Sequence, residues 1–388
     1  MRCNDTIYLD YAATTPVDPD VAQAMLPYFT YAFGNPSSIH ALGEEAREAV
    51  DKARAAIARS IGAQPQEIFF TSGGTESNNL ALKGIASANS YRGDHIIISA
   101  IEHHSVLDAC MALGESGFRI TYLPVDKCGL IDPDAVRKAI TDKTILVSVM
   151  HANNEIGTVQ PIAGIARIAS KHDIPFHTDA VQTVGHVPVN VRELHVNALS
   201  ASAHKLYGPK GVGCLYIRKG TRISPMMHGG QQERQYRAGT ENVPGIVGFG
   251  KALERAAPDM EHEAGRLIVL RERLVKGLLS AIEGVHLNGH PKQRLPNNIN
   301  VCFDGIDGEE LLLHLRLEGI CASNGSACSS SSTEPSHVLL ALGLSEEAAR
   351  GALRFTLGRQ TTEHDIDRLL RVLTAIVERI RHARGRAK

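Results

Sequence analysis

Ser200-Ala201-Ser202-Ala203-His204-Lys205-Leu206-Tyr207-Gly208-Pro209-Lys210-Gly211 is the stretch on which the reading of this chain turns. An apolar run, residues 196–199, leads into it and reads as a buried strand. Small residues then let the backbone approach a neighbour closely, and Gly208-Pro209 marks a turn. A second apolar run, residues 212–217, returns into the sheet. Lys205 is thereby aimed by a strand end and a turn, with Ser200, Ser202 and His204 around it. A lysine so placed is a candidate Schiff-base amine, because desolvation favours a neutral nucleophile. A solvated lysine beside a turn would give the same string, so the signal needs company.

Asp179 supplies it. This carboxylate follows the apolar run 174–177 in Pro-Phe-His-Thr-Asp-Ala-Val-Gln. A lysine and a carboxylate on neighbouring strand ends meet the needs of pyridoxal phosphate. The amine carries the cofactor, and the carboxylate keeps the pyridine nitrogen protonated so that the ring acts as an electron sink. A phosphate cup is the remaining requirement. Residues 67–71 read as a strand, followed by Ser72-Gly73-Gly74-Thr75-Glu76-Ser77 and a helical pattern. Glycines at a helix N-terminus expose backbone N–H groups, and Thr75 adds a hydroxyl. The element is neither a Walker loop nor a GxGxxG fingerprint, and a plain helix cap is its competing reading.

Between residues 67 and 217 apolar strands alternate with amphipathic helices. Strands are expected at 96–99, 120–123, 145–150 and 174–177, and helices at 106–113 and 162–172, with Asp132-Pro133 capping another. This alternation predicts an α/β fold with a mainly parallel sheet covered on both faces. Ligands of such sheets sit at the carboxyl ends of the strands, where the candidate residues fall. Helices are also expected at 18–30, 41–61 and 243–282, the last broken near Pro258. A second α/β unit follows, with a strand at 298–303 and helices at 308–318 and 334–342. Thr362 and Asp365 suggest a capping box before a helical run at 366–380. The basic tail, 379–388, is expected to be solvated and disordered.

The chain has 388 residues, 43% of them hydrophobic, and a formal net charge of −1. That balance gives no reason to expect direct nucleic-acid or membrane binding. No apolar run has membrane-spanning length, and the first residues lack the apolar core of a secretory signal, so a cytoplasmic location is the default expectation. Seven cysteines, Cys3, Cys110, Cys128, Cys214, Cys302, Cys321 and Cys328, are scattered without a CxxC pair. Neither a disulfide framework nor a metal site is expected from them. Buried, inert thiols are the default reading for all but Cys328. Cys328 lies in Gly-Ser-Ala-Cys-Ser-Ser-Ser-Ser, a string of small and polar residues in which a nucleophile is accessible.

Taken in order, from Leu9-Asp10-Tyr11-Ala12-Ala13-Thr14-Thr15 to Arg354-Phe355-Thr356-Leu357-Gly358, these segments resemble the cysteine desulfurases of the NifS/IscS type. Those are fold-type I pyridoxal-phosphate enzymes of the class-V aminotransferase superfamily. The resemblance runs nearly end to end and carries specific expectations. Residues 16–257 would form a large cofactor-binding domain with a seven-stranded sheet. Residues 1–15 and 258–388 would form a smaller domain bearing a mobile loop at 321–333. Lys205 would hold pyridoxal 5'-phosphate and move the substrate's Cα proton, and Asp179 would face the pyridine nitrogen. Gln182 would face the ring oxygen, and His103, from Glu102-His103-His104-Ser105, would lie over the ring and shuttle protons, with His104 a bystander. Gly74, Thr75, Ser202 and His204 would hold the phosphate. Thr240, in the Gly-, Gln- and Arg-rich segment 226–240, would complete the phosphate cup of a second subunit, making a homodimer necessary. Asn154 and Arg354 would bind the substrate, with the Arg354 fork matching its carboxylate.

Cys328 would attack the sulfur of L-cysteine, giving L-alanine and a persulfide. The serine-rich insert resembles the long loop of the NifS/IscS branch, which carries sulfur to an iron–sulfur scaffold protein or a tRNA-thiolation relay. The short tail after Arg384 leaves the preferred acceptor open. Selenocysteine lyase or cysteine sulfinate chemistry, and a non-catalytic pyridoxal-phosphate-binding scaffold subunit, are the alternatives.

Overall fold

A computed structural model describes residues 6–324 and 334–386. Its frame is a seven-stranded sheet whose first strand in the chain lies at one edge. A short strand β1 (Ile7–Tyr8) comes first, then three helices, α1 (Pro19–Met25), α2 (Pro27–Thr30) and α3 (Ala41–Ser60). The single helix expected at 18–30 is broken, because Pro27 has no N–H to continue the ladder and starts a new helix instead. The alternating region then gives β2 (Ile68–Thr71), α4 (Gly74–Asn89), β3 (His95–Ser99), α5 (His104–Glu115), β4 (Arg119–Leu123) and α6 (Pro133–Ala139). It continues with β5 (Thr144–Ser148), α7 (Ile162–Ser170), β6 (Phe176–Asp179), β7 (Ala198–Ser202) and β8 (Gly213–Ile217).

The strand order is β2-β8-β7-β6-β5-β3-β4, and β8 alone runs antiparallel to its neighbours. β3 shows why the sheet must be covered on both sides. Its Ile96 and Ile98 pack with α4 and α5, while Ile97 points into a second core that includes residues of α3 and α7. All three side chains are fully buried, which is the pattern of a parallel strand inside an α/β sheet.

After the sheet come α8 (Val243–Ala256) and α9 (Met260–Ala281), separated by a 3-10 turn that contains Pro258, where a break was expected. β9 (Val285–Leu287), β10 (Asn298–Phe303), α10 (Gly308–Leu317), β11 (Ile320–Cys321), α11 (His337–Ala341), α12 (Glu346–Arg350), β12 (Ala352–Thr356) and α13 (Glu363–Arg386) complete the order. β12, β10 and β9 form an antiparallel sheet that shares a core with α9, α10 and α13. Ile7 and Leu9 join that same core, and β1 pairs in parallel with β11. The leading segment then leaves it and runs toward the carboxyl ends of the large sheet.

Two further expectations are corrected. The basic tail is helical to Arg386, because Ile380 stays buried and Arg384 pairs with Glu310 at 2.6 Å. The helix expected at 334–342 starts later, at His337, with the Ser336 hydroxyl accepting from the Leu339 N–H as its cap. Among the described residues, no helix is long and apolar enough to cross a membrane.

Candidate active site

Lys205 ends the 3-10 turn Ala203–Lys205 that follows β7 directly. The turn is tight: a Cβ on Gly208 would stand 2.8 Å from the Ala203 side chain. Lys205 Nζ donates to the Ala12 carbonyl at 2.6 Å and the Ala13 carbonyl at 2.8 Å. The leading segment is therefore a wall of the site. It is fastened there by the Thr15 N–H to the His204 carbonyl and by the Tyr207 N–H to Thr15 Oγ1.

Asp179 is the last residue of β6, and its register partner on β7 is Ser200. The side chain is buried, and both carboxylate oxygens accept hydrogen bonds. Oδ1 takes the Val181 N–H at 2.9 Å, and Oδ2 takes Asn78 Nδ2 at 2.7 Å. Lys205 and Asp179 face one cavity of about 360 Å³ at the carboxyl ends of the parallel strands.

α4 begins beside them. Gly73 is its N-cap, with φ +155 and no side-chain cap, so the first N–H groups are left to a ligand or to solvent. A Cβ on Gly74 would meet Val181 Cγ2 at 2.7 Å. Ser202 Oγ is buried and has no hydrogen-bond partner among the described residues. An orphaned hydroxyl at a helix N-terminus, in a cavity with a lysine, fits an anionic group there. His204 Nδ1 is 3.1 Å from Thr14 Oγ1, and burial, with Lys205 and Lys210 nearby, pushes its imidazole down to about 4.

Opposite lies His103, the N-cap of α5. Its Nδ1 is 2.8 Å from Ser105 Oγ and accepts the Ser105 N–H at 3.1 Å. Burial lowers its pKa, with Asp179 opposing and Lys205 adding to the shift. His104, the first residue of α5, is half exposed with Asp108 at 3.7 Å and does not line the cavity. In Asn153-Asn154 the two roles separate. Asn153 makes the turn, its Oδ1 accepting from Glu155 and Ile156 N–H, while Asn154 lines the cavity. Gln182 also lines it and donates to the Ala12 carbonyl at 3.1 Å. Arg354, on β12, is 2% exposed and reaches the same cavity, paired with Asp10 at 2.8 Å.

The cavity thus brings together Gly74, Thr75, His103, Asn154, Asp179, Gln182, Ser202, His204, Lys205 and Arg354. Thr240 is not among them. It is exposed and lines a separate hollow with Thr71 and Ser72. Cys328 and Cys3 lie outside the described residues. Of the remaining cysteines, Cys110, Cys214 and Cys302 are buried, and burial pushes the first two thiols up to about 12. Cys128 is half-buried and Cys321 is exposed, so the expectation of burial fails for these two. Cys321 follows buried Ile320 on β11, so the alternation of the strand turns it to the opposite, exposed face.

Sequence reasoning missed Asn78, which bridges Asp179 and Ser105, and it missed Ser105 and Asp10 as side chains of the site. Asn78 sits on the first turns of α4, one helical turn after Gly74-Thr75. Helical spacing from the glycine pair was the available signal.

The aminotransferase class-V family matches residues 7–369. A cysteine desulfurase IscS of Dictyoglomus turgidum is 58% identical over 375 residues, covering 97% of this chain and 95% of that one. One from Methanosarcina thermophila is 56% identical over 379 residues, covering 98% and 94%. Among solved structures, a NifS-like protein superposes with a TM-score of 0.91 at 40% identity, covering 96% of this chain and 99% of that one. A structure of SspA in complex with cysteine gives 0.82 at 40% identity, covering 91% and 99%.

Proposed function

This chain belongs to the cysteine desulfurases of the class-V aminotransferase family, and on that premise we propose how its own residues divide the work on L-cysteine. The observation that carries the proposal is the single cavity in which Lys205 and Asp179, on adjacent strand ends, face the uncapped start of α4 and the unpartnered Ser202 hydroxyl. That donor set fits pyridoxal 5'-phosphate. Lys205 Nζ would hold it, and Asp179 would face its ring nitrogen. Gln182 would face its ring oxygen, and Gly74, Thr75, Ser202 and His204 would hold its phosphate. When bound, the cofactor supplies an electron sink for charge developing at the substrate Cα.

The Arg354 fork and Asn154 orient the substrate carboxylate, fixing which Cα bond faces Lys205. Lys205 Nζ takes the Cα proton and returns it within the cavity. His103, half-buried and held neutral, is placed to receive and deliver a proton. The Cys328 thiolate attacks the substrate sulfur: an S–S bond forms, the C–S bond breaks, and L-alanine leaves a persulfide on Cys328. An iron–sulfur scaffold protein or another thiolation acceptor would then take the terminal sulfur.

We extend the reading to a homodimer. Thr240 is exposed beside a hollow of its own, and Phe29, Tyr31, Phe33 and Ile39 form an exposed apolar stretch. Such a stretch suits burial against a second copy, which would bring Thr240 to the other cavity.

Alanine release from L-cysteine with a reductant tests the reading, in wild type and Cys328→Ala. Alanine from wild type alone supports it. Equal release from both removes Cys328 from the mechanism and favours lyase chemistry on selenocysteine-type substrates.

A further inference from the structure

We propose that Ser105 is a positioning residue for His103: its backbone amide and its hydroxyl, the latter oriented by Asn78, hold the imidazole in the Nε2-protonated neutral form. The direction of every hydrogen bond in this chain of groups is forced. The Ser105 N–H can only donate, and its acceptor is His103 Nδ1 at 3.1 Å. Nδ1 therefore carries a lone pair, and the proton of the neutral ring resides on Nε2. Asn78 Nδ2 likewise can only donate. One of its protons goes to Asp179 Oδ2 at 2.7 Å and the other to Ser105 Oγ at 2.8 Å. Turning the amide over would set two acceptor oxygens 2.7 Å apart. Ser105 Oγ is thus an acceptor toward Asn78, and its own proton points to His103 Nδ1 at 2.8 Å.

Protonating Nδ1 would break the bond from the Ser105 N–H and turn the Ser105 hydroxyl from donor to acceptor, so the arrangement favours the neutral ring. Among the described residues, the charged and titratable groups facing His103 are Asp179, Lys205, His104, Asp108 and His337. Among them the two carboxylates favour the cation, and Lys205 and the histidines oppose it. Burial, the largest influence, sides with the neutral form. Asn78 gives the device a second end. The amide that orients Ser105 also donates to the carboxylate facing the cofactor nitrogen in the proposed reading, so both ends of the cavity share one donor.

The tautomer stands on the protein alone, and its consequence for turnover rests on the reading of His103 as a proton carrier. The test is two-bond ¹H–¹⁵N correlation of ¹⁵N-histidine-labelled protein, with and without pyridoxal phosphate, His103→Gln identifying the signal. Wild type should show the Nε2–H form. Ser105→Ala removes one donor and should raise the His103 titration midpoint by about 0.5 to 1 pH unit. Ser105→Thr keeps the hydroxyl and should restore it. An Nδ1–H ring in wild type, or a midpoint unmoved in Ser105→Ala, overturns the proposal. The acid limb of the kcat profile is the second readout. If the midpoint moves in Ser105→Ala and the acid limb does not, the positioning stands and the proton-carrier reading of His103 falls.

Discussion

Arg354 Nη2 lies 2.8 Å from Asp10 Oδ1, joining residues 344 positions apart in the chain beside the cavity that Arg354 lines. Nη1 donates to the Asn154 carbonyl at 3.1 Å, and Nε is buried with no partner among the described residues. A guanidinium so enclosed needs a counter-ion, and Asp10 is the carboxylate paired with it, with Glu155 also within its electrostatic reach. In the proposed reading, an incoming substrate carboxylate would share the fork with Asp10.

Asp10→Asn removes the competing charge. KM for L-cysteine should fall roughly three- to tenfold, while the protein loses about 1–3 kcal/mol of stability with the charge-assisted bond. Steady-state kinetics and urea unfolding measure the two effects. A higher KM would mean that Asp10 aligns Arg354 and does not compete with substrate.

In the proposed reading, Ser202 separates cofactor binding from folding. Its orphaned hydroxyl carries a desolvation penalty without a ligand. Ser202→Ala should leave the cofactor-free protein as stable as wild type or more stable by about 1–2 kcal/mol. Affinity for pyridoxal phosphate should fall about tenfold, one lost hydrogen bond to a charged group. Absorbance titration with the cofactor and unfolding of the cofactor-free protein provide the comparison. Loss of stability without change in affinity would place the hydroxyl outside the cup.

The segment around Glu233 is anchored by a buried ion pair. Arg54 donates to both Glu233 oxygens, at 2.7 and 2.8 Å, and the Phe70 N–H also donates there at 2.8 Å. Glu233, Arg234 and Gln235 all have positive φ, from 44 to 69, a conformation uncommon for residues with a side chain. Glu233→Ala strands the Arg54 charge and should destabilise by about 3–5 kcal/mol. Arg54→Met combined with Glu233→Ala should be less damaging than Glu233→Ala alone. The double-mutant cycle by urea unfolding checks this, and additive losses would show the pair to be uncoupled.

Glu102 is fully buried, and burial pushes its carboxyl up to about 8, while Oε1 accepts the Met150 N–H at 2.7 Å. The folded pKa exceeds the unfolded value, so the folded state binds the extra proton. The associated stability is fully present below the ordinary carboxyl range and is lost as pH rises through about 8. Glu155, raised to about 7 by burial, has the same sign. Denaturant midpoints of wild type should therefore fall as pH rises from the ordinary carboxyl value of 4.5 to about 8 and level off above it, and Glu102→Gln should fall less. Parallel curves for the two proteins would show that Glu102 is ionised throughout.

The alternation of strand and helix was legible because it is local. Runs such as Ile96-Ile97-Ile98 are apolar on both faces of a strand, and only a doubly covered sheet buries both. Lys205, Asp179 and the Gly73-Gly74-Thr75 turn were legible for a related reason. Each lies at the end of a strand or in the turn just after it, and a parallel sheet brings all such ends to one edge. Helix limits were less legible where one residue decided them, as Pro27 splits the 19–30 segment and Ser336 delays α11. The helical tail was missed because its support, Glu310 against Arg384, comes from another helix.

Composition, periodicity and the residues after each strand thus determined the fold class and placed Lys205, Asp179, Gly74 and Thr75 together, since backbone geometry alone delivers those positions to one place, while the family resemblance supplied His103, Asn154, Gln182, Ser202, His204 and Arg354. Tertiary structure decided the connections among them. Asn78 meets Asp179 across 101 residues, and Asp10 meets Arg354 across 344. A short polar side chain carries no periodic signal for such a meeting. Whether it caps its own helix, faces solvent or bridges two groups of a site depends on what the rest of the chain sets opposite it.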